Sequence, residues 1–170
     1  MRVIQSPLGP VTTAATDRGV CLLEFGSPDR IAREQDDLER LLGEPFLEAG
    51  HPLLDQLESE LTAYFGGDLT RFTVPLDTPG TEWQRRVWDA LLRIPYGETV
   101  SYGQIAASLD NPGGARAVGL ANGQNRVAIV VPCHRVIAAD GSLHGYAGGL
   151  PAKRRLLDLE SAGKGLFSVR

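Results

Sequence analysis

The chain has 170 residues, of which 42% are hydrophobic, and it carries a formal net charge of −4. This composition predicts a folded core in one domain or two small ones, and it excludes a low-complexity disordered chain. No apolar stretch is long enough to span a membrane, and the first residues lack the apolar segment of a signal peptide, so we expect a cytoplasmic protein without a structural disulfide.

The charge is divided unevenly along the chain. Residues 1–80 have a net charge of −8, and residues 81–170 have a net charge of +4. Such a division predicts two domains, which we place at residues 1–78 and 81–170, with the basic one as the candidate for binding an anionic partner. Chance segregation of charge is the alternative, and the counts alone leave it open.

The first half is predicted to contain an antiparallel β-meander followed by two helices. Apolar or alternating runs between turn residues indicate three strands, at residues 2–5, 11–16 and 20–25. Helical periodicity covers residues 29–42, and a second helix begins at Pro52 and ends before Gly66. Residues 72–80 indicate a short edge strand that runs into a linker. Cys21 lies within the third strand and is predicted to be a core residue.

The second half is predicted to begin with a helix whose capping box is formed by Thr81 and Gln84. Its two tryptophans are interpreted as core residues rather than as platforms that stack on nucleic-acid bases. The apolar side chains that we expect this helix to bury are Trp83, Val87, Trp88, Leu91 and Leu92.

Two short helices follow, at residues 101–109 and 115–122, separated by a turn that contains glycine. This is the outline of a helix-turn-helix motif, although many helical hairpins bind nothing. The second helix consists mostly of small residues around the long side chain of Arg116. Such a helix fits a surface pressed against a narrow nucleic-acid groove, with one side chain directed into the base stack. Tight internal packing explains the small residues equally well.

A thiol and an imidazole stand side by side at Cys133 and His134, after an apolar run at residues 128–131 that we interpret as a buried strand. A base beside a cysteine can generate the thiolate, which is the reactive form of the side chain. The alternative is a cysteine that serves only as a small core residue. Further on, a loop at residues 144–150 contains three glycines, so its backbone can approach a flat ligand closely.

The last predicted helix covers residues 152–161. Its basic run, Lys153, Arg154 and Arg155, is interpreted as a solvent-exposed face. Glu160 lies near the C-terminal end of this helix, where the helix dipole disfavours a carboxylate, and this position indicates a partner elsewhere in the fold. The tail at residues 163–170 is predicted to be frayed.

Several motifs of the second half resemble those of the DNA repair methyltransferases that act on O6-alkylguanine. The motifs are Pro132-Cys133-His134-Arg135-Val136, Ala115-Arg116-Ala117-Val118-Gly119, Gly145-Tyr146-Ala147-Gly148-Gly149, Ile94-Pro95-Tyr96-Gly97-Glu98-Thr99 and Ser101-Tyr102. The resemblance is dense over residues 81–160 and thinner over residues 1–80. It implies an α/β fold of the α+β type. A ribonuclease-H-like N-terminal domain would contain the β-meander, and a helical C-terminal domain would contain the helix-turn-helix and the reactive cysteine.

The resemblance also implies a reaction and the residues that perform it. Cys133 would be the nucleophile and the acceptor of the alkyl group, with His134 as its base through a water molecule and Glu160 orienting the imidazole. Asn125 would support the active-site turn, and Tyr102 would protonate the departing guanine. Each molecule would act once, because nothing in such a site could cleave the resulting thioether.

The implied substrate is duplex DNA that contains O6-alkylguanine or O4-alkylthymine, bound through its minor groove by a monomer that needs no cofactor and no metal. The damaged base would be flipped out of the duplex, and Arg116 would fill the gap as a finger. The other residues implied to contact DNA are Ala115, Ala117, Gly119 and Asn122. Those implied to line the base pocket are Val136, Tyr146, Ala147 and Gly148.

Three positions depart from the family pattern. Ala147 stands where serine is common, and Arg126 and Ala128 stand where proline occurs in relatives, so we expect a less bulky pocket rim that admits larger alkyl groups. Three other classes of protein remain as alternatives. A binding-only relative would lack Cys133, a transcription regulator would need an additional cysteine-rich domain, and a thiol hydrolase would turn over without DNA.

Overall fold

The computed structural model describes residues 1–165, with side chains described as far as residue 162. The chain forms two compact units, Met1–Pro79 and a second that begins at Gly80. Strands and helices occur in both, so the predicted mixed α/β class is confirmed. None of the described helices is long and apolar enough to cross a membrane.

The first unit is built on an antiparallel sheet in the order β1-β2-β3. The strands are β1 (Arg2–Ser6), β2 (Gly9–Thr16) and β3 (Gly19–Glu24). Tight turns connect them, with Ser6 opposite Gly9 and Thr16 opposite Gly19, so the sheet is the predicted β-meander. Every residue of β3 is buried, and Cys21 is the core residue that was predicted. Burial raises the pKa of its thiol to about 12.

Two helices complete the first unit, α1 (Pro28–Leu42) and α2 (Pro52–Gly66). Both begin with proline, whose fixed φ suits a first helical turn. Both end at a glycine in the left-handed conformation, Gly43 at φ 80° and Gly67 at φ 83°. The core cluster of this unit contains Ala14, Cys21, Leu22 and Leu38. The predicted helix starts and stops were therefore correct to within one or two residues.

The prediction of an edge strand at residues 72–80 is wrong. The segment forms an isolated parallel bridge between Leu76 and Val20, in which Val20 N donates to Pro75 O at 2.8 Å. Pro75 has no N–H to offer, which prevents a longer ladder. The backbone passes so close to the sheet that a Cβ at Gly19 would lie 2.4 Å from the carbonyl carbon of Leu76, so glycine is required there.

The described part of the second unit is mainly helical. Its elements are α3 (Glu82–Leu92), β4 (Val100–Ser101), α4 (Tyr102–Ser108), α5 (Ala115–Gly123), a 3-10 turn (Cys133–Arg135), β5 (Val136–Ile137) and α6 (Leu150–Gly165). The two short strands pair in parallel, with Val100 opposite Val136. Helices α4 and α5 pack together in the predicted helix-turn-helix outline. The predicted capping box of Thr81 and Gln84 begins α3.

Two details of the second unit differ from prediction. Leu92 is 46% exposed and Trp83 is only half-buried, because the inward face of α3 is centred on Val87 and Leu91. Helix α6 continues to Gly165, so residues 163–165, which were predicted to be part of a frayed tail, belong to the helix. Residues 166–170 of the predicted tail lie outside the described residues.

Candidate active site

A buried turn at residues 127–131 replaces the strand that was predicted at residues 128–131. None of its five residues is more than 6% exposed. Val131 N donates to Val127 O at 2.9 Å, and Ile129 has a φ of 71°, which is incompatible with a strand. A short apolar run indicates burial without determining the backbone conformation, and this is why the prediction failed.

The side chain of Asn125 ties the two ends of this turn together. It is 3% exposed, its Nδ2 donates to Val131 O at 2.9 Å, and its Oδ1 accepts from Val127 N at 3.0 Å. Cys133 N in turn donates to Val131 O at 2.8 Å. The backbone of Cys133 is therefore hydrogen-bonded to the same turn that the Asn125 side chain closes.

Replacing Asn125 with alanine should lower the free energy of unfolding by about 2 kcal/mol or more, because a buried N–H and a buried carbonyl lose their partner. Urea denaturation followed by circular dichroism measures the change. The matched control is Asn111→Ala, a half-buried asparagine in the turn before α5, which should change stability by only about 0.5 kcal/mol. Equal losses in the two variants would contradict the proposed support of the turn.

Cys133 and His134 open the 3-10 turn, at 5% and 0% exposure. His134 Nε2 lies 2.8 Å from Oε1 of Glu160, which is also fully buried. Burial alone would raise the pKa of Glu160, but hydrogen bonds from His134 and Arg135 outweigh it and hold that pKa well below its usual range. The ionised carboxylate accepts the Nε2–H, which leaves Nδ1 as the ring atom that can take up a proton.

The Nδ1 atom of His134 is buried and has no hydrogen-bond partner among the residues that the structure describes. Burial is the largest influence on His134 and, with the charges of Arg135 and Lys153, lowers its pKa although Glu160 raises it, so the neutral imidazole is favoured. A neutral imidazole whose other nitrogen is held by a carboxylate is suited to act as a general base.

Arg135 and Gly97 also donate hydrogen bonds to Glu160. Arg135 donates from Nε to Oε2 at 2.8 Å and from Nη2 to Oε1 at 3.0 Å, and Gly97 N donates to Oε2 at 3.1 Å. The Arg135 guanidinium also donates to Ile94 O at 2.6 Å and lies 5.8 Å from the ring centre of Tyr96. Neither donor to Glu160 was predicted. The signal in the sequence was the carboxylate near a helix end, which indicated a partner without naming it.

The surface position predicted for Lys153 is also wrong. Lys153 is 0% exposed rather than part of a solvent-exposed face, and its Nζ donates to Val136 O at 2.6 Å and to His144 O at 3.2 Å. The two arginines that follow it are exposed, as predicted. Lys153 shares the buried face of α6 with Leu156 and Glu160, at spacings of three and four residues. That spacing was the signal that could have placed it inside.

Tyr102 is the first residue of α4 and lies within electrostatic reach of Cys133. Burial raises its pKa, and the charge of Cys133 raises it further. On α5, a Cβ at Gly119 would lie 3.7 Å from Cδ1 of Tyr102, an ordinary contact distance, so this neighbour does not require glycine. Of the residues predicted to line the base pocket, Val136 is fully buried in β5. The half-buried ones are Tyr146, Ala147 and Gly148 in the loop before α6.

Helix α5 presents one exposed side, which carries Arg116, Ala117 and Leu120. Leu120 is 66% exposed, and its exposure was not predicted. The half-buried residues are Ala115 and Gly119, and the buried ones are Val118, Ala121 and Asn122. Asn122 Nδ2 donates to Cys133 O at 3.4 Å, so this side chain faces inward and its position is inconsistent with the predicted DNA contact.

The three positions that depart from the family pattern lie in different surroundings. Ala128 is 4% exposed within the active-site turn, so it does not form the accessible rim that was expected. Arg126 and Ala147 are half-buried. Among the described residues, no three His, Cys, Asp or Glu side chains are grouped so that they could hold a metal ion.

Two family models match the chain. The one described as 6-O-methylguanine DNA methyltransferase, ribonuclease-like domain, matches residues 1–78. The one described as 6-O-methylguanine DNA methyltransferase, DNA binding domain, matches residues 82–162. The chain belongs to the 6-O-methylguanine DNA methyltransferase family. The resemblance seen in the motifs around Cys133 is thereby confirmed.

Relatives in this family resemble the chain over nearly its whole length. The methylated-DNA–protein-cysteine methyltransferase of Mycobacterium tuberculosis is 50% identical over 161 residues, which are 95% of this chain and 92% of the relative. The crystal structure of M. tuberculosis OGT in complex with DNA superimposes with a TM-score of 0.79 at 48% identity, covering 95% of this chain and 92% of that one. The O6-methylguanine-DNA methyltransferase of the archaeon Pyrococcus kodakaraensis has a TM-score of 0.67 at 26% identity, with coverage of 88% and 97%.

Proposed function

We propose that the protein repairs alkylated duplex DNA by transferring the alkyl group of O6-alkylguanine, and of O4-alkylthymine, to Cys133. The observation that carries this proposal is the buried pair of His134 and Glu160, whose Nε2 and Oε1 atoms lie 2.8 Å apart, with His134 next to Cys133 in the chain. Family membership gives the class of reaction, since the relative from M. tuberculosis is a methylated-DNA–protein-cysteine methyltransferase.

The chemistry requires a thiolate and a place for its proton. His134 accepts the thiol proton at Nδ1 through a bridging water, while its Nε2–H stays on the Glu160 carboxylate. The Cys133 sulfur then attacks the alkyl carbon, the carbon–oxygen bond breaks, and its electron pair stays with guanine. Tyr102 supplies a proton to the departing guanine and regains one from the water to which His134 releases the thiol proton. In sum, the thiol loses one proton, guanine gains one, and a thioether remains on the protein.

The base must leave the duplex before the sulfur can reach its alkyl group. We assign this step to the exposed side of α5, where Arg116 is the single long cation beside Ala117 and Leu120. Small side chains allow the helix backbone to approach the minor groove, and Arg116 occupies the space that the flipped base vacates. Val136 and the half-buried loop residues Tyr146, Ala147 and Gly148 then form the walls that receive the base.

Mass spectrometry of the protein after reaction with a duplex that contains O6-methylguanine tests this proposal. One added methyl group on the Cys133 peptide is expected, with no further turnover when more substrate is added. Cys21 serves as an internal control, because a buried thiol with a pKa of about 12 should stay unmodified. The Cys133→Ser variant should take up no methyl group.

The alternatives give different results in the same experiment. A binding-only protein would hold the damaged duplex tightly and leave Cys133 unmodified. A thiol hydrolase would turn over activated esters repeatedly and would not need DNA. Either result would contradict alkyl transfer to Cys133.

A further inference from the structure

The ammonium group of Lys153 is buried, and its hydrogen-bond acceptors among the described residues are backbone carbonyls. Its side chain is 0% exposed, and both acceptors of its Nζ are carbonyl oxygens, those of Val136 and His144. No Asp or Glu among the described residues forms an ion pair with it. A buried charge is unfavourable unless it is offset, so an anion close to the ammonium group would stabilise it.

The anions near Lys153 are few. Glu160 lies on the same face of α6, but its charge is already offset by the two hydrogen bonds from Arg135 and the one from His134. The other titratable groups around the thiol are the phenol of Tyr102 on α4 and the imidazole of His134. Burial lowers the pKa of Lys153, and a negative charge on Cys133 raises it.

We propose that the ammonium group of Lys153 is the counter-charge of the Cys133 thiolate, and that Lys153 is a positioning residue for alkyl transfer. This role presupposes the proposed function, with Cys133 as the acceptor. The ammonium is anchored on Val136 O, three residues after the nucleophile and in the strand that continues the 3-10 turn. Its second anchor, His144 O, begins the loop that is proposed to receive the base.

The same charge acts on the base that deprotonates the thiol. Lys153 lowers the pKa of His134, although burial has the larger effect. Lys153 therefore favours a thiolate opposite a neutral imidazole, a state in which the thiol proton has passed through His134 to water. A proton returns to the site through Tyr102 when the guanine anion departs, so the overall proton count is unchanged.

The rate of reaction with free O6-benzylguanine, measured against pH, tests the charge of Lys153 without involving DNA. In Lys153→Met the midpoint of the profile should rise by about one pH unit, because an opposite charge nearby shifts a pKa by that amount or more. The rate at neutral pH should fall about tenfold. Lys153→Arg keeps the charge, so the midpoint pH of its profile should lie close to that of the wild type. Arg154→Met removes the charge of the exposed neighbour and should leave the profile unchanged.

If Lys153→Met lost the same fraction of its rate at every pH, with an unchanged midpoint, the proposal would be overturned. Lys153 would then have only a structural role. Should Lys153→Met fail to fold, nitrogen NMR of the unmodified protein replaces it. The Nζ of Lys153 should titrate at lower pH once Cys133 has become a neutral benzyl thioether, and an unchanged titration would also overturn the proposal. The peptide mass of the same sample distinguishes failure of the Lys153 proposal from failure of the proposed function. A wild-type protein that carries no benzyl group on Cys133 contradicts alkyl transfer itself.

Discussion

Glu160→Gln is expected to slow alkyl transfer to Cys133 by roughly 10²- to 10⁴-fold, the range that general-base catalysis contributes. The amide has no charge to stabilise an imidazolium, and its NH₂ group can displace the Nε2–H of His134 and so change the tautomer. The single-turnover rate with free O6-benzylguanine measures this effect, because this reaction requires the nucleophile and its base but does not require DNA binding.

The same substitution should destabilise the second unit by about 3–5 kcal/mol, since it leaves the Arg135 guanidinium buried without its carboxylate. The pH dependence follows from the lowered pKa of Glu160. Its contribution to stability is fully present above the ordinary carboxyl pKa and is lost as the pH falls below it, so the wild type should lose more stability on acidification than the variant.

Asp158→Asn is the matched control for Glu160→Gln, since it removes a carboxylate from the exposed side of the same helix. It should change neither the rate nor the unfolding midpoint measurably. A Glu160→Gln protein that reacts as fast as the wild type would show that the carboxylate does not orient His134.

Arg116→Ala is expected to slow the repair of O6-methylguanine in duplex DNA by about 10- to 100-fold, because the cost of holding a base out of the stack, a few kcal/mol, is no longer offset. Reaction with free O6-benzylguanine should change by less than about twofold, since no base has to be extruded. The informative quantity is the ratio of the two rates within one preparation of protein.

Arg93→Ala provides the comparison for charge alone, because Arg93 is an exposed arginine at the C-terminal end of α3 in the same unit. It should weaken duplex binding slightly, with a small effect on salt dependence, and leave the ratio of the two rates unchanged. Equal losses on both substrates in Arg116→Ala would remove the finger role from this side chain.

Local signals in the sequence were enough to predict most of the fold. The β-meander and the starts and ends of α1, α2 and α3 follow from turn residues, from proline at helix starts, from the Thr81 capping box and from glycine at helix ends. Each of these signals lies within a few residues of the element that it defines. The adjacent Cys133 and His134 likewise stand together in the sequence, so the candidate nucleophile and base could be proposed before the structure was known.

The parts that were missed depend on distant contacts. Arg135 and Glu160 are 25 positions apart, and their pairing is decided by how α6 packs on the 3-10 turn. Lys153 was placed at the surface because lysine usually lies there, whereas packing turned its side of α6 inward. Residues 128–131 form a turn rather than the predicted strand, because the Asn125 side chain satisfies backbone groups of this segment. No local sequence pattern predicts such a side-chain bridge.

The burial of Cys133 has a consequence for how long each molecule remains useful. A protein that is consumed in its own reaction has one acceptor sulfur atom per molecule. Any other electrophile or oxidant that reacts with this atom inactivates the molecule without a repair. At 5% exposure, Cys133 is shielded from reagents that diffuse freely in water, and in the proposed mechanism its sulfur is reached by the flipped base. The number of lesions that a population of these molecules can remove is therefore set by how well access is restricted, as well as by how fast the sulfur reacts.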